Sequence, residues 1–253
     1  MMNKKLVDVS EFNSTINWPL VKKSGIDYAI IRAGGRFAIS GKIYKDKQAT
    51  NNITECINNK INIGLYFFTQ AVNETEAKEE AIWTMNLVKR WKKNITLPIY
   101  IDTEYIDEGR HNKITRAQRT KVVNAFCNEI EKAGYKSGVY ASTSWLENNL
   151  IMGDIGNYSV WVADYRGKCY YKGKYDIWQY TSNGQINGIG KCDLNILYKD
   201  FSEKEKEYKD DIKIKAVDVI LGKYGNGADR VKALGKDYKE VQSLVNELIG
   251  RLE

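Results

Sequence analysis

Short apolar segments alternate with longer amphipathic segments along the first 200 residues. The apolar segments are rich in β-branched and aromatic residues and are apolar at consecutive positions, which is typical of strands buried on both faces of a parallel sheet. The predicted strands are Leu6–Ser10, Tyr28–Gly34, Ile63–Phe68, Leu97–Tyr105, Gly138–Ser142, Val160–Asp164, Ile177–Tyr180 and a last one near Asp193–Asn195.

Two of the intervening segments show clear helical periodicity. Glu74 to Trp91 follows Asn73, and Glu76 completes a capping-box pattern. Thr115 to Ala133 begins with a capping threonine and is followed by a glycine. Strands that alternate with helices up to about eight times predict an α/β fold, a parallel β/α barrel.

Polar side chains interrupt the predicted strands mostly at their C-terminal ends. They are Asp8, Arg32, Asp102, Glu104, Tyr140, Asp164 and Gln179. A β/α barrel collects its functional groups at that rim, so we expect these residues to converge on one cleft.

Asp102 and Glu104 end the predicted strand Leu97–Tyr105. Side chains alternate along a strand, so both should point the same way, with Cα atoms about 6.5–7 Å apart. Two neighbouring carboxyl groups on a rigid element suit acid-assisted glycosidic cleavage. The alternative is a strand end with solvated acids, and convergence at the barrel rim favours the functional interpretation.

Composition narrows the chemistry and the partners. The net charge of +7 is spread along the chain without a basic run interleaved with aromatics, which argues against nucleic-acid binding and suits a polyanionic surface such as a cell wall. The single histidine excludes a multi-histidine metal site, and the four scattered cysteines, without a CxxC pair, argue against a zinc ribbon or a redox motif. We therefore expect no metal and no cofactor. We expect His111 to be a solvent-facing loop residue and the thiols to be reduced.

The sequence also predicts where the product accumulates. No apolar run approaches the roughly 20 residues that cross a bilayer, so membrane insertion is not expected. The start of the chain lacks the features of a signal peptide, because Asp8 interrupts the apolar stretch almost at once. We therefore expect cytoplasmic accumulation until another protein releases the product to the wall.

Periodicity changes after residue 200. Residues 201–211 are charged and lack a core pattern, which predicts a linker between a domain at 1–200 and a second domain at 212–253. The second domain reads as three helices, at 212–222, 226–234 and 238–252. About 40 residues is near the lower limit for independent folding, so a partner such as a second copy would stabilise it.

Residues 3–200 resemble the glycoside hydrolase family 25 muramidases found in many phage endolysins. The resemblance rests on Val7-Asp8-Val9-Ser10, Gly64-Leu65-Tyr66-Phe67-Phe68, Ile101-Asp102-Thr103-Glu104, Gly138-Val139-Tyr140, Trp161-Val162-Ala163, Trp178-Gln179-Tyr180 and Cys192-Asp193-Leu194-Asn195, in order and at family-like spacing. It implies a flattened β/α barrel that hydrolyses the β-1,4 bond between N-acetylmuramic acid and N-acetylglucosamine. By position, Glu104 matches the proton donor, Asp102 its partner acid, and Asp8 and Asp193 two further acids of the groove.

Burial beside other acids should raise the pKa of Glu104, so that it stays protonated as the general acid. An ionised Asp102 would stabilise oxocarbenium-like charge or orient the N-acetyl group of the sugar, while direct carboxylate attack and water-mediated inversion stay open. Further candidates for substrate contact are Gln179 and, for sugar stacking, Tyr66, Tyr140, Trp161, Tyr165 and Trp178.

Residues 212–253 resemble the cell-wall-binding repeat called CW_7. The residues that this resemblance implies for wall binding are Tyr224, Gly225, Asn226, Gly227 and Arg230. It departs from the family at Tyr224, where Trp is common, at Lys236, where Tyr is expected, and in having one copy.

Together these resemblances predict a phage-type endolysin with muramidase activity, whose partner is bacterial peptidoglycan. A bacterial autolysin shares this chemistry, and a catalytically silent peptidoglycan-binding protein is the alternative from another class. The small tail predicts a homo-oligomer through the C-terminal domain, because pairing would supply both stability and avidity.

Overall fold

The computed structural model describes residues 3–201 and 209–250. The chain divides into two compact units, Met1–Ser202 and Glu203–Glu253, each with its own hydrophobic core. Among the described residues, no helix combines the length and the apolar character needed to span a bilayer. The thiols of all four cysteines are free.

The first unit is a closed barrel of eight strands. They are β1 (Lys4–Val9), β2 (Tyr28–Arg36), β4 (Asn62–Phe68), β5 (Ile95–Asp102), β6 (Ser137–Ser142), β7 (Ser159–Ala163), β8 (Ile177–Ile186) and β9 (Gly190–Leu197), while a short strand β3 (Ile43–Lys45) pairs with β2 outside the ring. Each strand pairs with the next in this series, and β9 returns to pair with β1.

The predicted β/α barrel is confirmed, with a difference at its last strand. The first seven strands of the ring run parallel, whereas β9 runs antiparallel to both β8 and β1. Only residues 187–189 separate β8 from β9. So short a connection forms a hairpin, because the crossover to a parallel strand needs a dozen or more residues.

Helices cover the outside of the ring. Within the described residues of this unit they are α1 (Trp18–Lys23), α2 (Ala49–Asn58), α3 (Glu74–Val88), α4 (Arg116–Lys132) and α5 (Thr143–Asn149). The predicted caps are confirmed, since Asn73 accepts from the Glu76 amide and Thr115 accepts from the Gln118 amide. Helix α3 is shorter than predicted, because the chain tightens into a 3-10 turn at Lys89–Asn94.

Alternation along the strands divides the core into two layers. On β5, Ile99 and Ile101 pack outward with the helices, whereas Tyr100 between them packs within the barrel. Trp161 is almost completely buried among the inner residues. The strands are therefore apolar on both faces, and the polar residues of the inner rows are left for the C-terminal ends.

The second unit consists, in its described part, of α6 (Asp210–Ile220), α7 (Gly227–Leu234) and α8 (Tyr238–Gly250). Its core contains Ile212, Ala216, Val219, Leu234, Val241, Leu244 and Val245. Of the predicted linker 201–211, residues 202–208 lie outside the described residues, and Asp210 and Asp211 form the first turn of α6. Acidic side chains in a first turn interact favourably with the helix dipole.

Candidate active site

Asp102 is the last residue of β5, and Glu104 stands two residues beyond the strand. The prediction that the strand continues to Tyr105 is wrong, because pairing with β6 ends at Asp102 opposite Tyr140. Glu104 therefore projects from a loop. Both carboxyl groups nevertheless face one cavity of about 590 Å³ at the C-terminal ends of the strands, here called the acid cavity.

Glu104 also lines a second cavity of about 560 Å³, here called the side cavity. The side cavity lies at the ends of β6 and β7 and is lined by Ser142, Asp164 and Arg166 among others. Glu104 is the residue that lines both cavities, so its half-buried carboxyl stands at their junction. A chain of sugars lying across both cavities would present one linkage at this point.

Asp8 and Asp193 are register partners on the neighbouring strands β1 and β9. The Asp8 Oδ2 atom accepts hydrogen bonds from Gln179 Nε2 at 2.9 Å and from Asn195 Nδ2 at 2.8 Å. Asp8 also shares a hydrogen bond with Asp193. Pairing across the closing seam of the barrel thus joins acids that are 185 residues apart in sequence.

Burial raises the pKa of all four acids. For Asp8 the second cause is the charge of Asp193, and for Glu104 it is again the charge of Asp193. The pKa of Asp102 is raised well above its ordinary value by burial and then by Glu104, and its Oδ1 atom is buried without a hydrogen-bond partner. The pKa of Asp193 is raised as well. The expectation that the pKa of Glu104 is raised is confirmed, and the pKa values of the other three acids are raised as well.

The acid cavity is lined by the exposed cation Lys191 and by the buried cation Arg32. The Arg32 Nε donates to Asp46 at 2.7 Å and its Nη2 donates to Glu11 at 3.0 Å. Its guanidinium lies 4.7 Å from the ring centre of Phe12, which is 82% exposed at the cavity wall. The positive charge is therefore already balanced, and it lowers the pKa of Asp102 only as the smallest influence.

Gln179 is a buried residue beneath the cavities that forms hydrogen bonds to three side chains. Its Oε1 accepts from Tyr140 Oη at 2.8 Å and from Tyr165 Oη at 2.6 Å, while its Nε2 donates to Asp8. Because the amide is 2% exposed and its contacts run to protein groups, the structure places it behind the surface that a substrate would touch. It orients Asp8 and the tyrosines.

The predicted stacking residues fall into two groups. Trp161 is 1% exposed, packs 4.3 Å from Tyr140 between ring centres, and donates Nε1–H to Asn195 at 2.7 Å. Stacking of a sugar on Trp161 is therefore wrong, because the ring is covered by protein. Tyr66 is half-buried and lines the acid cavity, and Tyr165 and Tyr140 line the side cavity. Trp178 lies partly buried against the outer core.

His111 corrects the expectation of a solvent-facing loop residue. It is fully buried, with Nδ1 2.6 Å from the Ala71 carbonyl oxygen and Nε2 2.9 Å from Thr103 Oγ1. Burial lowers its pKa to about 4. Among the described residues, no cluster of three or more potential ligands is arranged to hold a metal ion.

Sequence reasoning did not nominate the aromatic wall formed by Phe12, Tyr44 and Phe68, or Asn195 beneath the acids. Asn195 could have been identified from the sequence, because it follows Asp193 by two residues on one strand and therefore lies on the same face. Phe12 lies in a 3-10 turn after β1, where no periodicity applies.

In the second unit the predicted wall-binding residues lie in the turn between α6 and α7 (Tyr224, Gly225 and Asn226) and in the first turn of α7 (Gly227 and Arg230). Arg230 closes it, since Nε and Nη2 donate to the Gly225 carbonyl at 3.1 and 2.9 Å and Nη2 donates to Asn226 Oδ1 at 2.9 Å. Gly225 and Gly227 have φ of +61° and +55°, which favour glycine. Tyr224 packs against the core of this unit.

Residues 7–189 match the family described as glycosyl hydrolases family 25, and residues 215–249 match the CW_7 repeat. Lysozyme M1 of Streptomyces globisporus is 26% identical over 201 residues, which cover 75% of this chain and 66% of that protein. The autolytic lysozyme of Clostridium acetobutylicum is 24% identical over 236 residues, which cover 92% of this chain and 64% of that protein.

The barrel is similar to the modular autolysin LytC of Streptococcus pneumoniae, solved in complex with a synthetic peptidoglycan ligand. The TM-score is 0.67 at 33% identity, covering 78% of this chain and 47% of LytC. The chain thus spans less than two thirds of the length of each of these relatives.

Proposed function

The chain belongs to glycosyl hydrolases family 25, and from this premise we propose that it is a peptidoglycan hydrolase of the lysozyme type. The bond cleaved is the β-1,4 linkage between N-acetylmuramic acid and N-acetylglucosamine. The observation that carries the proposal is the position of Glu104, a half-buried acid with a raised pKa at the junction of two cavities. A protonated carboxyl at that point can deliver its proton to a glycosidic oxygen as the C–O bond breaks.

Asp102 supports a specific version of this chemistry. Its buried, unpartnered Oδ1 is suited to accept one hydrogen bond from a substrate donor, and the N–H of an N-acetyl group is such a donor. Held in this way, the acetyl carbonyl oxygen can attack the anomeric carbon while Glu104 protonates the departing oxygen. Water then opens the cyclic intermediate, and Glu104 takes the proton back.

Substrate binding would also place the proton. Asp102 and Glu104 both have raised pKa values, and the charge of Glu104 contributes to the raised pKa of Asp102. An N–H donated to Asp102 stabilises its ionised form, which favours the protonated form of Glu104. The acid is then ready when the sugar with its N-acetyl group is in place.

The first experiment separates an enzyme from a silent binder. Glu104→Gln should abolish release of reducing ends from cell walls, whereas Glu108→Gln, an exposed acid on the same loop, should retain the parental rate. New amino groups in the digest would indicate an amidase or peptidase instead. A parent that releases no reducing ends, or a Glu104→Gln variant as fast as the parent, would contradict the proposal.

A second experiment tests the role of Asp102. Chemically de-N-acetylated glycan strands should resist cleavage if the acetyl carbonyl is the nucleophile. If Asp102 attacks directly, the same strands should be cleaved, and a covalent glycosyl-enzyme should be found by mass spectrometry.

The second unit, as a CW_7 repeat, supports attachment to the wall through the turn closed by Arg230. Ile214 and Val217 on α6, together with Leu221 directly after it, form an exposed apolar stripe at intervals of three and four residues. This stripe supports pairing of two chains through the second unit, and light scattering that shows only monomer at micromolar concentration would contradict it.

Endolysin and autolysin share this chemistry, and delivery from the cytoplasm by another protein stays a prediction.

A further inference from the structure

Thr103 lies between the two acids Asp102 and Glu104, and its side chain points away from the cavities into the protein. It is fully buried, and its hydroxyl meets two side chains from other segments. Trp145 Nε1 lies 3.0 Å away, and His111 Nε2 lies 2.9 Å away on the other side. Trp145 belongs to α5, after β6, and His111 to a 3-10 turn before α4.

The direction of every hydrogen bond in this chain follows by elimination. The Ala71 carbonyl can only accept, so His111 carries its proton on Nδ1, which donates at 2.6 Å, and its Nε2 must accept. The indole N–H can only donate, so Thr103 Oγ1 accepts from Trp145 and gives its own proton to His111. Each group has one role, and burial lowers the pKa of His111 to about 4, which keeps the ring neutral.

The backbone around Thr103 is fixed as well. Its amide donates to the Tyr140 carbonyl at 3.1 Å, and the Asp102 carbonyl accepts from the Thr69 amide at 3.0 Å. Beyond Thr103 the chain leaves the sheet, and among the described residues no side chain is hydrogen-bonded to the Glu104 carboxyl. The orientation of the acid therefore depends on the anchor one residue before it.

We propose that Thr103, His111 and Trp145 form a positioning network that holds Glu104 in register with Asp102. The proposal deepens the function proposed above and rests on it. None of the three residues lines either cavity, so they act through the backbone of the acid and are not catalytic themselves. General-acid catalysis depends on sub-ångström placement of the donor, and a displacement of about 1 Å can lower the rate by about 100-fold.

The test uses the full chain and soluble peptidoglycan glycan strands, with kcat and KM measured from reducing ends. Thr103→Val keeps the shape and removes the hydroxyl, and we expect kcat to fall by about 10- to 100-fold while KM stays within about two-fold. Thr103→Ser restores the hydroxyl and should return kcat to within about three-fold of the parent.

Thr120→Val is the matched control, because Thr120 on α4 also has a buried hydroxyl, which accepts from the Ile151 amide, and Thr120 lines neither cavity. It should lower the melting temperature and leave kcat unchanged. Should Thr103→Val fail to fold, Trp145→Phe removes the indole donor, together with part of the ring that packs against Arg119, and is expected to give the same split between kcat and KM.

The proposal is overturned if Thr103→Val, or Trp145→Phe in its place, keeps the parental kcat. It is equally overturned if Thr103→Ser is as slow as Thr103→Val. A parent that releases no reducing ends would instead refute the proposed function, so the two failures are distinguishable.

Discussion

Replacing His111 by Gln should change how the stability of the barrel depends on pH. The folded protein holds the imidazole neutral, with a pKa lowered by burial from 6.5 to about 4. The imidazole of the unfolded chain takes up a proton as the pH falls through 6.5, whereas the buried imidazole of the folded chain does not. The free energy of unfolding of the parent therefore decreases below that pH, and the Gln variant, which has no imidazole, lacks this decrease. At about 1.4 kcal/mol per pKa unit, the parent should lose about 2 kcal/mol relative to the variant between about pH 7.5 and about pH 5.

Urea denaturation followed by tryptophan fluorescence measures this difference. All six tryptophans lie between Trp18 and Trp178, so the signal reports the barrel. Val122→Ala, a buried substitution on α4 without a titratable group, is the control and should be destabilised equally at both pH values. A parent-to-Gln difference that is the same at both pH values would refute the neutral, buried histidine and the hydrogen-bond directions deduced from it.

Three further substitutions test the packing of the barrel and the turn in the second unit. Arg36→Leu leaves the buried Glu80, now 2.7 Å from Arg36, without its cationic partner, while Thr69 still donates to it. Urea denaturation should show a loss of about 3–5 kcal/mol that becomes smaller below about pH 7, because burial raises the pKa of Glu80 to about 7 and the carboxyl takes up a proton there. Gly138→Ala would place a methyl group 2.3 Å from the Tyr100 ring inside the barrel, and a loss of about 3 kcal/mol is expected in the same assay. Arg230→Lys cannot form the forked contact to its turn, so it should lower the melting temperature of the second unit and the fraction of protein that sediments with purified walls.

Much of the barrel could be predicted because its signals are local. Consecutive apolar residues marked the strands, and caps such as Asn73 and Thr115 marked helix starts. The meeting of Asp8 with Asp193 was also predictable, since a closed barrel must bring its first and last strands together.

The remaining features depend on contacts between segments distant in sequence. His111 is buried against the loop that follows β4, which supplies the Ala71 carbonyl, and nothing near residue 111 encodes that contact. Trp161 lies on a predicted strand beside the cavity, but Tyr140 and Asn195 from other strands cover its ring. Glu104 leaves the strand because its neighbour stops pairing at Asp102, and register between strands is not written in either strand alone.

The hairpin that ends the barrel has a consequence for when the protein can act. Asp193 and Asn195 lie on β9, the last strand of the ring to be synthesised, and they contact Asp8 on the first. A nascent chain that has not yet emerged past β9 lacks Asp193, one of the four acids described above, and leaves one edge of β1 open. The four acids therefore come together only in a single late step of synthesis, when β9 pairs with β1.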